Sequence, residues 1–377
     1  MQVSSVLFAG VITLSLLAAC SAKNTLTTDA GSNPQGTVTC ASETAKPSLT
    51  KNQYAACSPC TVPTLTPPLA CTNGKPINAC CDYVQAPKNE TARGTNLHYF
   101  SSTDPALDLG CLDTPKAQGI PKTVTMTGYI KLFSSGNDSV GVKIEVFQEG
   151  PQGALGALVG SAVVTTAMDP VLTPLPTWST KCPKEGCKLR KFSYAGIPTE
   201  TPLIIRTSDA GSSLWSPIYD YNIYFANDKV GQGAGPNEVY YEPSAVASTD
   251  LNTIASAAGG LTIKPDKGII AGEVHDCGDV RLSGTMVNTD YRPEGDMFYF
   301  GDNESDPLPD KSRAEAGLGT STLGLFGALN YQTGVPVRIS AVGKVQGANV
   351  LLGTYVVQVF PGAVTALSLR GRRPFQK

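Results

Sequence analysis

The chain has 377 residues, of which 38 are glycine and 28 are proline, so it is interrupted too often to be a long helical bundle. Hydrophobic residues make up 41% and charged residues 16%, which is enough to bury a core, and the length is typical of two domains. The net charge of −2 excludes the basic surface of a nucleic-acid binder and the polybasic patch of an electrostatic membrane binder. Two histidines leave little room for zinc or imidazole chemistry.

The N-terminal segment 6–19 is apolar apart from Thr13 and Ser15. It is too short to span a bilayer stably, and it has the length of the apolar region of a signal peptide. No other segment of the sequence is long and apolar enough to span.

The apolar segment ends in Leu-Ala-Ala-Cys at Cys20, which resembles the bacterial lipobox. The resemblance implies removal of residues 1–19 and attachment of diacylglycerol, with acyl groups such as palmitate, to the Cys20 thiol. Ser21 rather than aspartate follows the cysteine, and by the same resemblance this favours the outer membrane. We therefore expect an outer-membrane lipoprotein, facing the periplasm or the cell surface, whose N-terminal lipid is its membrane anchor. The alternative is an ordinary secretory signal peptide.

Composition then divides the mature chain. Residues 20–50 are polar and small and predict a lipidated flexible tether. Residues 51–118 predict a cysteine-rich module with little core of its own. A first β-sandwich is predicted over 119–245, a linker with a short helix over 246–265, and a second β-sandwich over 266–373.

Export places the chain in an oxidising compartment, where cysteines form disulfides. Without Cys20, the even set that remains for disulfides is Cys40, Cys57, Cys60, Cys71, Cys80, Cys81, Cys111, Cys182, Cys187 and Cys277. Cys182 and Cys187 flank a short turn and are expected to pair with each other. Cys277 then stands alone, which predicts that it bridges back to the N-terminal cluster, although the sequence leaves the full connectivity open.

Zinc is the competing interpretation of the cysteine cluster. Cys57, Cys60, Cys71 and Cys80 have finger-like spacing, which the export signal argues against. A redox-active Cys57–Cys60 pair is the third alternative, and its proline- and threonine-rich surroundings do not resemble a strand-to-helix junction.

From residue 120 onward, apolar side chains alternate with polar ones, as in half-buried β-strands. Strands are predicted over residues 123–133, 140–148, 158–166, 202–207, 337–342, 354–360 and 363–370, with a turn over 135–138. The helix is predicted over 248–258, with Ser248 or Thr249 as its N-cap.

The same pattern occurs twice along the chain. Thr-Gly-Tyr-Ile at Gly128 matches Ala-Gly-Glu-Val at Gly272, and a second glycine follows after 13 and 12 residues. Further on, the segment beginning at Tyr194 matches the segment beginning at Tyr331. Two landmarks in the same order predict a duplicated β unit.

Residues 268–277, together with 334–339 and 357–365, resemble the first and closing strands of carboxypeptidase regulatory-like domains. The resemblance implies a transthyretin-like or starch-binding-like sandwich, a carbohydrate-binding-like fold. It fits the second copy well and the first loosely. The layout as a whole resembles outer-membrane lipoproteins of delta-proteobacteria. The fold class that we predict is all-β, with two antiparallel sandwiches in tandem behind a disulfide-rich N-terminal module.

The residues argue against an enzyme. His98 and His275 stand far apart, without a zinc-peptidase motif, a nucleophile elbow or a phosphate loop. We expect His275 to lie exposed on its strand, because it alternates outward.

Two stretches are candidates for binding. The aromatic stretch offers carbohydrate contacts at Trp215, Tyr219, Tyr221 and Tyr224, with strand and interdomain packing as the alternative. The acidic stretch places Asp302, Glu304 and Asp306 at every second position, as a calcium loop does, with a solvated loop as the alternative. No other cofactor is indicated.

These observations predict a non-enzymatic, lipid-anchored envelope protein with a structural or binding role. Its partner would be a polysaccharide or an envelope protein, and nucleic acid is not expected. A carbohydrate- or peptidoglycan-binding lipoprotein is the alternative, and a hydrolase is the remote one. The sequence does not fix the oligomeric state.

Overall fold

The computed structural model describes residues 87–95, 104, 106–113, 116–133, 138–173, 188–232, 235–258, 260, 262–289, 297–304, 307–334 and 336–376. The predictions for Cys20, the tether, Asp306 and every cysteine except Cys111 and Cys277 lie outside these residues. Within them the chain is built mainly of strands, with three short α-helices and two 3-10 helices (Pro151–Gly153 and Asn227–Lys229), so the all-β prediction is confirmed. None of the helices described is long and apolar enough to cross a membrane.

The first half of the described chain contributes eleven strands. They are β1 (Ala92–Arg93), β2 (Thr123–Tyr129), β3 (Lys131–Leu132), β4 (Val142–Glu149), β5 (Leu155–Val164), β6 (Lys191–Pro198), β7 (Leu203–Asp209), β8 (Trp215–Ser216), β9 (Ile218–Ile223), β10 (Glu238–Tyr240) and β11 (Ser244–Ala247). Helix α1 spans Gly110–Asp113, and helix α2 spans Ser248–Ala257.

The second half contributes nine strands and helix α3 (Lys311–Glu315). The strands are β12 (Lys267–His275), β13 (Leu282–Ser283), β14 (Met286–Thr289), β15 (Phe298–Phe300), β16 (Pro309–Asp310), β17 (Leu325–Gln332), β18 (Pro336–Val345), β19 (Ala348–Gln358) and β20 (Val364–Arg370). The predicted strands all lie in this set, with shifted ends and with a break in the first at Ile130.

Strands β2 and β12 occupy equivalent places in the two halves. Strand β2 pairs antiparallel with β6 and parallel with β10. Strand β12 pairs antiparallel with β17 and parallel with β20. On the opposite layers, β4 pairs with β7 and β7 with β9, as β14 pairs with β18 and β18 with β19. The two halves therefore share these pairings, which agrees with the repeat in the sequence, and they differ in that β5 pairs with β4 whereas β15 pairs with β17.

The layers of each half enclose a core. In the first half, alternate residues of β2 and β4 point inward, among them Met126 and Ile144, which are both fully buried. In the second half, Ile270 of β12 and Phe326 of β17 pack against β18 and β19. Burial of these aliphatic and aromatic side chains is the main stabilising contribution to such β layers.

The two halves are joined through a sheet that runs across both. Strand β20 pairs on one side with β12 and on the other, in parallel, with β9. The resulting sheet has nine strands in the order β16-β15-β17-β12-β20-β9-β7-β4-β5. Strands from both sides of the predicted linker 246–265 thus share hydrogen bonds, while the separation into two domains remains a prediction from the sequence.

Gly128 and Gly272, the landmarks of the repeat, lie at close approaches of the backbone. A Cβ atom on Gly128 would overlap the carbonyl oxygen of Tyr241, and one on Gly272 would overlap that of Leu367. Tyr241 directly follows β10, the parallel partner of β2, and Leu367 lies in β20, the parallel partner of β12. The glycines therefore serve the same steric purpose in the two halves.

Helix α2 confirms the predicted helix, except that Ala247 occupies the N-cap position. Its buried side chains, including Leu251 and Ile254, pack on the outer face of the large sheet near Ile218 and Val364. The helix ends at Ala257 with Ala258 as its C-cap. Gly260 then adopts a positive φ of 69°, and its amide donates to the Ser256 carbonyl. This helix therefore covers the sheet where the two halves meet.

Candidate functional site

A cavity of about 680 Å³ lies where the two halves meet, and we call it the junction cavity. Its floor is the outer face of three adjacent parallel strands, β9, β20 and β12. Its walls come from Lys131 and Phe133, from the chain around β10 and β11, and from helix α2. The volume is typical of small-molecule sites.

The register of the floor strands sets its chemistry. Val364 of β20 lies level with Ile218 of β9 and Ile269 of β12. Two residues further along the strands, Ala366 lies level with Asp220 and Ala271. Because side chains of a strand alternate between faces, these residues share the cavity side of the sheet.

Further along β20 the same face becomes polar and then charged. Ser368 lies level with Glu273, and Arg370 lies level with His275. On β9, Asn222 donates from its side-chain amide to the Ser368 carbonyl over 2.7 Å. The floor thus changes along the strand direction from aliphatic through small to polar and cationic.

Glu273 is the centre of a buried ionic network beside this floor. Its carboxylate accepts from Arg281 Nη2 at 2.5 Å and from Nε at 3.2 Å, and Lys131 Nζ lies 4.0 Å away. Arg281, whose side chain is 2% exposed, also donates to Glu304 over 3.2 Å. Although burial opposes it, Glu273 and Glu304 raise the pKa of Arg281. Opposite charges in this network compensate one another, as buried charges require.

Asp220 lies on the cavity floor in a different environment. Burial raises the pKa of its carboxyl to about 6, against the opposing effect of the hydrogen bond that Tyr241 donates. Burial and the Asp220 carboxylate together raise the pKa of Tyr241 well above its usual value. Asp220 is therefore a carboxyl whose charge is only partly balanced by its neighbours.

His275 is buried, so the prediction that it lies exposed is wrong. Its Nε2 lies 2.8 Å from Glu273 Oε2, and its Nδ1 lies 2.8 Å from Asp279 Oδ1. The imidazole is buried where it contacts Glu273 and Asp279. Strand alternation alone does not predict these contacts.

The aromatic stretch is built into the cores. Trp215, Tyr219 and Tyr221 are at most 8% exposed. Trp215 donates to the Val140 carbonyl over 3.0 Å, and Tyr221 donates to the Gly153 carbonyl over 2.7 Å. Tyr224 is half-buried, and its hydroxyl donates to Glu200.

A sugar-stacking platform needs exposed ring faces, and Trp215, Tyr219 and Tyr221 do not provide them. The carbohydrate contacts predicted at these three residues are corrected to structural packing, whereas Tyr224 lines the junction cavity and its carbohydrate contact stays a prediction. The prediction for Tyr219 is the clearest case, since its ring stacks on Phe360 with the ring centres 3.9 Å apart.

Asp302 and Glu304, the described residues of the acidic stretch, make contacts within the protein. Asp302 accepts from the amide and the hydroxyl of Thr322, at 2.8 and 2.6 Å, and Glu304 pairs with Arg281. Among the described residues, no group of three or more histidine, cysteine or acidic side chains is arranged to hold a metal ion. Asp306 lies outside the described residues, so the calcium site predicted at Asp302, Glu304 and Asp306 stays a prediction.

The predicted long-range disulfide is confirmed. Cys277 bonds to Cys111, 166 residues earlier in the chain. Both cysteines line one end of the junction cavity. The bridge ties the N-terminal stretch around α1 to the end of β12.

Sequence reasoning missed the main residues of the cavity: Lys131, Asp220, Glu273 and Arg370. A signal was present in β20, where alternate residues are Val364, Ala366, Ser368 and Arg370. One face of that strand therefore changes from apolar to cationic. Only the parallel pairing with β9 and β12 shows that this face continues across the sheet.

No protein-family model matches the chain. No curated protein matches it. Among solved structures, it is similar to the SpaE basal pilin from Lactobacillus rhamnosus GG, with 8% sequence identity and a TM-score of 0.19. That similarity covers 63% of this chain and 91% of the pilin. The resemblances to lipoproteins and to carboxypeptidase regulatory-like domains remain predictions from the sequence.

Proposed function

We propose that this chain is a non-enzymatic binding protein of the bacterial cell envelope, tethered by a lipid on Cys20. The observation that carries the binding role is the junction cavity. Its floor combines strands from both halves, and the Cys111–Cys277 disulfide lies at one end. A site of this kind is preorganised, because the strands that form it are fixed by the sheet on both sides.

The geometry also favours binding over catalysis. His275 is held between Glu273 and Asp279, and the charged groups of the network are paired with one another. Such an arrangement fixes shape and orientation, whereas a site for nucleophilic catalysis places a base within hydrogen-bond reach of the nucleophile that it activates.

The anchor is tested by metabolic labelling with a fatty acid, followed by membrane fractionation. The wild-type chain is expected to be labelled and to sediment with outer membranes. Cys20→Ala is expected to lose the label and to become soluble in the periplasm. Ser21→Ala is the matched control, and it is expected to keep both properties. A labelled or membrane-bound Cys20→Ala protein would refute the lipid anchor.

A further inference from the structure

The junction cavity has two chemically different ends. Strand residues advance by about 3.3 Å each, so the distance from Val364 to Arg370 along its floor is about 20 Å. The apolar end lies under α2, where Leu251, Ile254, Phe298 and Phe300 line the cavity and belong to one hydrophobic cluster. The other end lies beside the Cys111–Cys277 disulfide and the segment after β20.

That second end is rich in guanidinium groups. Arg370, Arg372 and Arg373 all line the cavity there. Arg373 donates from Nε to Asn222 Oδ1 and from Nη2 to the Asn222 carbonyl, both over 3.0 Å. Arg372 donates to the Gln376 carbonyl over 3.1 Å. The acceptors in these three bonds are neutral oxygens.

Arg370 provides the clearest sign of incomplete satisfaction. Its guanidinium pairs with Asp279, which also contacts His275. Its Nε atom is buried without a hydrogen-bond partner among the described residues. Burial, with the nearby charge of Arg370, lowers the pKa of Arg373 to about 9. A buried N–H donor without a partner is costly, and a bound anion would satisfy it.

The carboxylates between the two ends do not cancel this excess. Glu273 is paired with Arg281 and lies near Lys131, so its charge is spent within the network. Asp220 accepts from the Tyr241 hydroxyl.

Of the other carboxylates that line the cavity, Asp228 pairs with Lys116 and Glu242 accepts from the Tyr240 hydroxyl. Asp279 lines the arginine end and pairs with Arg370, whereas Arg372 and Arg373 donate to neutral oxygens. Positive charge therefore exceeds negative charge where the floor ends, and apolar side chains predominate where it begins.

We propose that the junction cavity binds a small amphipathic anion. Its apolar body would lie between α2 and the sheet, and its carboxylate or phosphate would lie against Arg370, Arg372 and Arg373. Guanidinium groups recognise both headgroups through paired hydrogen bonds. The inference deepens the proposed binding role, and it does not depend on the lipid at Cys20.

Isothermal titration calorimetry on the full-length chain carrying Cys20→Ala tests this inference without detergent. The probes, all below their micellar concentrations, are dodecyl phosphate, dodecanoate, dodecyltrimethylammonium and inorganic phosphate. We expect saturable one-to-one binding of either or both anionic amphiphiles, and their comparison separates a phosphate from a carboxylate preference. The cationic amphiphile is expected to bind at least about tenfold more weakly. Inorganic phosphate is expected to give no saturable heat.

Substitutions locate the site. Arg370→Gln and Arg372→Gln should each weaken the anionic amphiphile about tenfold. Arg338→Gln, on β18 and away from the cavity lining, is the charge-matched control and should bind normally. Ala366→Leu should abolish binding by filling the middle of the floor. Circular dichroism checks the fold of each variant, and Arg372→Gln tests the site if Arg370→Gln fails to fold.

Equal binding of anionic and cationic amphiphiles would overturn the inference. So would the absence of saturable binding, or binding that folded Arg372→Gln and Ala366→Leu leave unchanged. None of these results bears on fatty-acid labelling of Cys20. Failure of the ligand assignment is therefore distinguishable from failure of the proposed envelope role.

Discussion

Strands β2 and β12 have the same neighbours in their halves, yet the residue after the shared glycine differs between them. In the first half it is Tyr129, which packs at the margin of an apolar core. In the second half it is Glu273, which organises Arg281, His275 and Lys131 around itself. The comparison teaches that the same pairings support two different interiors. The apolar version closes a core, and the charged version borders a cavity.

Removing the cation at the centre of the charged half should have the largest effect. We expect Arg281→Met to lower the free energy of unfolding by about 3–5 kcal/mol, because Glu273 and Glu304 would keep buried charges without their partner. Arg206→Met makes the same chemical change in the first half, where the side chain is 27% exposed, and should cost about 1 kcal/mol. Urea denaturation measures both. Equal losses in the free energy of unfolding would show that the network around Glu273 stabilises the protein no more than the Arg206–Glu145 pair does.

The disulfide also belongs to the charged half, because it anchors the end of β12. We expect Cys111→Ala combined with Cys277→Ala to lower stability by about 2–4 kcal/mol, since the unfolded chain would lose a long covalent loop. Urea denaturation under non-reducing conditions measures the change. A double variant as stable as the wild type would contradict a stabilising role.

The shared glycines are where the halves should respond alike. We expect Gly128→Ala and Gly272→Ala each to cost about 1–3 kcal/mol, because the added methyl group meets a backbone oxygen that cannot move aside. Gly301→Ala is the control, since its nearest atom would be the Leu308 oxygen at 3.9 Å. Thermal denaturation ranks the three variants. A loss confined to one half would break the structural equivalence of β2 and β12.

Asp220 is the carboxyl that the first half contributes to the cavity, and it should give the smallest effect. Because its pKa rises from 3.8 to about 6 on folding, the folded state binds more protons between these values. Stability therefore falls as pH rises through this window, by at most about 3 kcal/mol. The benefit of removing the charge in Asp220→Asn is smaller than this limit, because Asp220 is only half-buried and the variant loses the Tyr241 hydrogen bond to the carboxylate. We expect that variant to gain on the order of 1 kcal/mol at pH 8 relative to pH 4.

Melting temperatures at pH 4 and pH 8 measure that change. Asp228→Asn is the charge-matched control, because its side chain is 56% exposed and should show little difference between the two conditions. If the difference in melting temperature between Asp220→Asn and the wild type is the same at both pH values, Asp220 is ionised without cost in the folded protein.

Period-two alternation predicted most strands, because inward side chains of β2 and β4, such as Met126 and Ile144, are apolar and alternate with polar ones. The cysteine count predicted the bridge at Cys277, because an even set left that residue without a local partner. Neither kind of reasoning could place Glu273 beside Lys131. Their approach depends on a contact between the two halves, which no local pattern encodes.

The prediction of carbohydrate contacts at Trp215, Tyr219 and Tyr221 was wrong for a related physical reason. Tyrosine and tryptophan suit both exposed sugar platforms and buried strands, so residue type alone does not separate the two. Tyr219 and Tyr221 are buried in the core of the second half, because β20 pairs with β9 along these residues, whereas Trp215 is buried in the core of the first half.

Among the described strands, β20 is the last to be synthesised and also the middle one of the nine. Until it inserts, β9 and β12 present two open edges that have no reason to meet, and each is a template for pairing with other chains. Assembly of the large sheet therefore waits for the final segment, with contacts that span most of the sequence and close slowly. A nascent chain remains two loosely related pieces for most of its synthesis. For a protein expected to cross a membrane before it folds, such delay keeps the chain in a form that can be exported.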